Sequence, residues 1–271
     1  MTTTNSYNFT ITRDQLITDS LLYIGAIAEG ETPSANAVTE ASRLLNMMVK
    51  LRAADGMPLW ALKRATILPV TDVSSINTTS HIVSAYDETT LSADEAASQT
   101  QLSVTSSSAM TAADNIGIEL DDGTMHWTTI SSVDSSVLIT VATALASAAA
   151  SGSHVYSYTA STDRIVRPLR VIAANVLNTT SESSWELECI DQQTYYQISS
   201  RTSEGTPNQL YYEATLGTSV ADPTSSTTWY GVFFIYPRFN GGDHVIEFTY
   251  HRPFQDFDAS TDNPDFPQEF Y

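Results

Sequence analysis

Cysteine is all but absent. Cys189 stands alone in 271 residues, which excludes an internal disulfide framework and any cysteine-built metal centre. A lone cysteine in a segment of strand composition is expected to be a small buried apolar residue. Long apolar runs are missing as well. No stretch reaches the roughly eighteen residues that a membrane-crossing helix needs, and Met1 to Tyr7 has neither the basic region nor the apolar core of a signal peptide.

Positive charge is the next thing in short supply. Between Ala65 and Asp163 there is no lysine or arginine against eleven carboxylates. Residues 1–64 hold six basic and six acidic side chains, and residues 164–271 hold six and fourteen, so the formal net charge is -19. Such a field repels phosphate and argues against nucleic-acid grip by counterion release. It suits a surface that is simply soluble, or one that lies beside DNA without capturing it.

Catalytic patterns are also lacking. The chain has no G-x-S-x-G, no H-E-x-x-H, and no Walker or dinucleotide glycine pattern. His81, His126, His154, His244 and His251 are scattered singly, without metal-ligand spacing. His126 and Trp127 are adjacent in a strand pattern and so point to opposite faces. Glu119 to Gly123 superficially resembles a calcium loop, but Ile118 and Leu120 stand where oxygen ligands belong, and a turn is the better reading. No enzyme activity, cofactor or metal is expected. A hydrolase would need two carboxylates held together in a pocket, and nothing in their spacing argues for that.

What is present begins with two helices. Thr12 and Gln15 form a capping-box pattern, and Leu16, Ile17, Leu21, Ile24 and Ala28 recur at helical spacing up to Gly30. Thr32-Pro33 reads as the start of a second helix, with Val38, Ala41, Leu44, Leu45, Met48 and Leu51 on one stripe and Asp55-Gly56-Met57-Pro58 as its stop. Two such helices must cover each other, or a third, to bury their stripes.

Short β segments follow. Asn115–Leu120 and Thr124–Ile130 around Asp121-Asp122-Gly123 make a hairpin pattern, whereas Ala142 to Ser151 has little to pack and reads as a loop or one short turn. Arg164, Arg167 and Arg170 open a region of larger strands, in which Arg164 and Arg170 would share one strand face. There, Gly231–Tyr236 and Val245–Tyr250 read as a second hairpin around Asn240-Gly241-Gly242-Asp243. Tyr195-Tyr196 and Tyr211-Tyr212 read as a packed aromatic face. Asp262 to Tyr271, with Pro267 early and Glu269 in the first turn, has the composition of a helix start.

The expected fold class is α+β: an N-terminal antiparallel helix pair of a small helical bundle, an inserted small β-barrel or sandwich, and a second antiparallel β region. The divisions fall at residues 1–66, 67–162, 163–257 and 258–271.

Two stretches together resemble a known family. The helix ending at Ile24-Gly25, the acidic loop with Gly30 and Pro33, the second helix around Leu44 to Met48, and Asp55-Gly56 are similar to the opening of head-to-tail adaptors of short-tailed bacteriophages, also called connector, head-completion or packaged-DNA-stabilisation proteins. Phe234 to Phe257 and Asn263 to Tyr271 look like the hairpin and following helix start of larger members.

The resemblance implies a non-enzymatic virion protein, assembled in the host cytoplasm. It would form a homo-oligomeric ring, expected as a dodecamer, under the portal protein. Such a ring extends the DNA channel and carries the tail nozzle or tail fibre proteins. DNA passes without specific binding, and no membrane is involved. A helix is expected after Tyr271, completing the first domain. Trp60, Leu62, Arg64, Phe266, Phe270 and Tyr271 are the candidate assembly contacts. A tail fibre, baseplate or receptor-binding protein is the alternative. It would account for the Ser/Thr-rich β segments and leave the helices unexplained.

Overall fold

Helix α1 (Arg13–Tyr23) starts as its sequence dictates: the Gln15 N–H donates to Thr12 Oγ1 and the Thr12 N–H to Gln15 Oε1. In the computed structural model, which describes residues 10–55, 61–71, 73, 75–77, 80–214 and 231–265, it ends earlier than Gly30. Gly25, at φ +73, donates to the Leu22 carbonyl and Ala26 donates to Leu21, a Schellman closure. Helix α2 (Ala35–Ala54) is capped by Ser34, whose hydroxyl accepts from Ala37 N–H, rather than by Thr32. Asp55 is its C-cap. None of the described helices is long and apolar enough to cross a membrane.

The chain divides into two units, Met1–Leu62 with Arg252–Tyr271, and Lys63–His251. In the first unit an extended strap, not a third helix, lies on the described helices. Asn46 grips the Phe257 backbone from both sides, its amide donating to the carbonyl (3.3 Å) and its oxygen accepting from the N–H (2.9 Å). Lys50 Nζ donates to the Phe254 carbonyl and pairs with Asp256, and the Arg13 guanidinium donates to the Asp258 carbonyl. Phe254 and Phe257 are buried beneath these bonds. Asp265 pairs with Arg252. The helix start expected from Pro267 onward lies outside the described residues.

The second unit is β-rich. Its strands in order are β1 (Leu62–Ile67), β2 (Ser75–Asn77), β3 (Ile82–Val83), β4 (Asp87–Thr90), β5 (Gln101–Ser103), β6 (Asn115–Glu119), β7 (Met125–Ser135), β8 (Leu138–Val141), β9 (His154–Tyr158), β10 (Arg170–Asn178), β11 (Ser184–Cys189), β12 (Gln209–Glu213), β13 (Val232–Tyr236) and β14 (His244–His251). Helix α3 (Ala160–Asp163) precedes β10, and α4 (Gln192–Gln197) lies between β11 and β12. A large sheet of eight strands runs β2-β13-β12-β11-β10-β14-β1-β3, and a small one of six runs β4-β9-β6-β7-β8-β5. Strands from both sides of the β4–β9 stretch thus share the large sheet. The small sheet curls: Leu91, just past β4, bridges Val104, just past β5.

The hairpin across Asp121-Asp122-Gly123 forms as expected, with Asn115 opposite Thr129 and Glu119 opposite Met125, and Gly123 at φ +81. The second expected hairpin does not form. β13 pairs with β12 and β2, while β14 zips along β10 from Arg170↔His251 to Asn178↔His244. After Tyr236 the chain is taken by another segment: Arg238 N–H donates to Ser203 and Gly205 N–H donates to Arg238. The Asn240–Asp243 turn instead meets the small sheet, with Gly242 N–H donating to Glu119 Oε1 and Tyr156 OH to the Gly242 carbonyl.

The large sheet is not wholly antiparallel either, because β11 and β12 run parallel through Cys189↔Leu210. Arg164 and Arg167 precede β10, so only Arg170 of the three lies on a strand. Cys189 is exposed, at the last position of β11, rather than buried. The Ala-rich stretch is a loop, yet Leu145 and Ala149 plug the small sheet's core.

Both sheets meet over Leu68, Val83, Met125, Tyr156, Tyr158 and Val245. Trp127 is fixed there: its indole N–H donates to the Pro69 carbonyl at 3.0 Å and its ring stacks on His81 at 3.8 Å. Gly117 faces it across the ladder, and a Cβ at Gly117 would come within 2.7 Å of that ring. Because the indole is held from two sides it cannot yield. Gly117→Ala should lower the unfolding free energy by about 1–3 kcal/mol, read as an earlier denaturant midpoint; an unchanged midpoint would show that the seam is plastic.

Candidate assembly surface

Helix α2 carries apolar side chains around most of its circumference, and the first unit covers only part of it. Asn46, Val49, Lys50 and Ala53 follow the three-and-four spacing of one face; Val49 and Ala53 are buried, and Asn46 and Lys50 hold the strap. Leu44, Met47, Met48 and Leu51 have the same spacing on the opposite side and are 58%, 63%, 53% and 62% exposed. The stripe read from the sequence is therefore split. Val38, Ala41 and Leu45 are half-buried, while Leu44, Met48 and Leu51 face outward. An apolar arc wider than the roughly 100° of an ordinary amphipathic helix was the available signal. At the end of α1, Leu22, Tyr23 and Ile24 are exposed too. Arg43 and Arg52 flank the outward stripe, both exposed, and neither makes an ion pair among the described residues.

Of the expected assembly contacts, Leu62 is 40% exposed at the start of β1. Arg64, two residues on, is exposed and lines a cleft of about 420 Å³ with Thr66, Ser84, Asn175, Glu247 and Thr249. Trp60, Phe266, Phe270 and Tyr271 lie outside the described residues.

One cluster was not legible from the sequence. His154 Nδ1 meets Glu88 Oε1 at 3.0 Å and its Nε2 meets Thr180 Oγ1 at 3.1 Å. The order hydroxyl, imidazole, carboxylate is that of a nucleophilic triad. It is assembled from residues 26 and 66 positions apart along the chain, a separation that leaves no motif. What surrounds it is connective. The His154 N–H and Gly242 N–H share the Glu119 carboxylate, and the Asp243 carboxylate takes Asn178 Nδ2 and His244 Nδ1. The cluster therefore ties the turn after β13 and the β10–β11 turn to the small sheet. Among the described residues no group of three or more metal-ligating side chains comes together. Of the four tyrosines, Tyr195 and Tyr211 share a packed face with Phe234 in mutual ring contact and Tyr196 lies at its edge with Arg201 over its ring, whereas Tyr212 points to the other face of β12, against Phe233.

Comparison with family models, with curated proteins and with solved structures finds no match for this chain.

The His154 link has a pH signature. The hydrogen bond that the His154 ring donates to Glu88 raises the His154 pKa above its ordinary 6.5, against burial, with Glu119 and Asp243 adding to the rise. A raised folded-state value means stability that is complete below the unfolded value and lost as pH rises through the folded one. His81, whose pKa burial brings down, pulls stability the other way as pH rises, so the readout is a difference: in denaturant melts the advantage of the full chain over His154→Gln should shrink from pH 6 to pH 8. A difference that does not change with pH would show that His154 carries no such signature.

Proposed function

We propose that this chain is a non-enzymatic structural protein of a tailed-phage virion, a head-to-tail adaptor that assembles as a ring beneath the portal, extends the DNA channel and carries the tail nozzle or fibres. The observation that carries this reading is α2, whose outward row of Leu44, Met47, Met48 and Leu51 is too apolar to be left in water. Full burial of one such side chain gains about 1.5–3 kcal/mol, so four in a row favour association of copies. The helices would be the ring body.

The β unit supports the reading through its charge. Its small sheet, inferred to be a closed barrel through the Leu91–Val104 bridge, lies within the stretch free of lysine and arginine. Such a wall lets a phosphate backbone slide by without capture.

Size-exclusion chromatography with light scattering and negative-stain imaging test this directly. The full chain should form rings. Leu44→Ser with Met48→Ser should leave monomers whose circular dichroism and melting are unchanged, because both side chains are exposed. A full chain that stays monomeric would sink the reading, rings that persist in the double variant would remove α2 from the interface, and a trimer would favour the fibre or baseplate alternative.

A further inference from the structure

The chain carries one short pattern twice. Phe254-Gln255-Asp256-Phe257 and Phe266-Pro267-Gln268-Glu269-Phe270 both run phenylalanine, glutamine, acid, phenylalanine, with a proline added in the second. The first shows what α2 does with it. Both phenylalanines are buried, the acid pairs with Lys50 at 2.8 Å, and Asn46 holds the backbone. The opposite side of α2 offers similar chemistry. Leu44, Met47, Met48 and Leu51 form an apolar row, two of them methionines that adapt to a ring's shape. Arg43 and Arg52 stand beside it as free cations among the described residues, where Lys50 stands on the strap side.

We propose that this row is the docking site for the Phe266–Phe270 segment of a second copy of the chain, with the two phenylalanines on the apolar side chains and Glu269 against Arg43 or Arg52. The proposal rests on the ring reading and names the piece of the neighbour that closes each contact. Apolar anchors supply the affinity and the acid fixes the direction of the segment.

The test uses the full chain carrying Phe266→Ser and Phe270→Ser, so that its own segment does not compete, and a fluorescent peptide spanning residues 262–271. Anisotropy should show saturable binding. Adding Leu44→Ser and Met48→Ser to the protein should weaken it by more than about tenfold, a factor that one lost apolar anchor supplies. The same peptide with both phenylalanines replaced by serine should not bind. Binding that survives the stripe substitutions and falls with Asn46→Ala would mean that the peptide displaces the strap, and overturns the proposal. No binding, while the unsubstituted chain still forms rings, overturns the docking and leaves the ring reading intact. Stripe-dependent binding by a chain that forms no ring upholds the docking and removes the ring.

Discussion

Helix α2 is apolar on two sides, and one extended strap covers only one of them. That constraint sets the character of the first unit. The covered side is held by directional bonds rather than by bulk burial alone: Asn46 satisfies both backbone groups of Phe257, and Lys50 satisfies the carbonyl of Phe254 and the charge of Asp256. A backbone segment seated on a helix has no ladder of its own, so its buried N–H and C=O groups need such side-chain partners. The outward side has no such polar fixtures. Its side chains are straight or γ-branched and adapt to the shape of whatever apolar groups meet them.

In the β unit the two sheets are joined by polar bonds surrounding a small apolar seam. Tyr156 is buried, its hydroxyl donates to Gly242, and burial pushes its pKa up far beyond the ordinary phenol range. It therefore stays a donor throughout the physiological range. His81 is the counterpart at the other side of the seam. Burial, then the charge of Arg164, brings it down to about 3, so it remains neutral while it stacks on Trp127 and meets the Tyr158 hydroxyl at Nδ1. Both rings are kept in one protonation state by the packing they help to create. His154, held by Glu88 and only partly desolvated, titrates in the opposite direction.

What could be read from the sequence was local. The Thr12 capping box and the Asp-Gly hairpin depend on neighbours within a few residues, and both form. The end of α1 failed because two glycines, Gly25 and Gly30, both adopt positive φ and either can close a helix; only hydrogen bonds decide between them. The second hairpin failed for a nonlocal reason. Its turn pattern was sound, but β10 offers β14 eight residues of pairing, and Arg238 is drawn to the Ser203–Gly205 segment. The outward face of α2 was hidden in plain sight, because periodicity marks which residues are apolar and not which side the rest of the unit covers. Glu88, His154 and Thr180 lie on separate strands and turns, and nothing in their spacing could have joined them.

The Ser/Thr-rich composition and the missing cations of the small sheet have one explanation. A carboxylate near packed structure needs partners, and here they are hydroxyls and backbone N–H groups instead of lysine or arginine. Asp134 accepts from Thr140, Ser132 and Gln101, which together hold its pKa below the usual carboxylate range. Buried Asp114 takes both the N–H and the hydroxyl of Thr111 and the hydroxyl of Thr159. Asp94, Asp121 and Glu95 each accept a backbone N–H, from Ser151, Ala150 and Ser103. An ion pair would cancel the charge it satisfies. A hydroxyl or amide donor satisfies the oxygen and leaves the full negative charge to act at a distance. A chain that needed only stable turns could have used salt bridges at no loss. In the small sheet these carboxylates are held by neutral donors and their charge is left uncancelled, with Glu88 beside His154 as the exception.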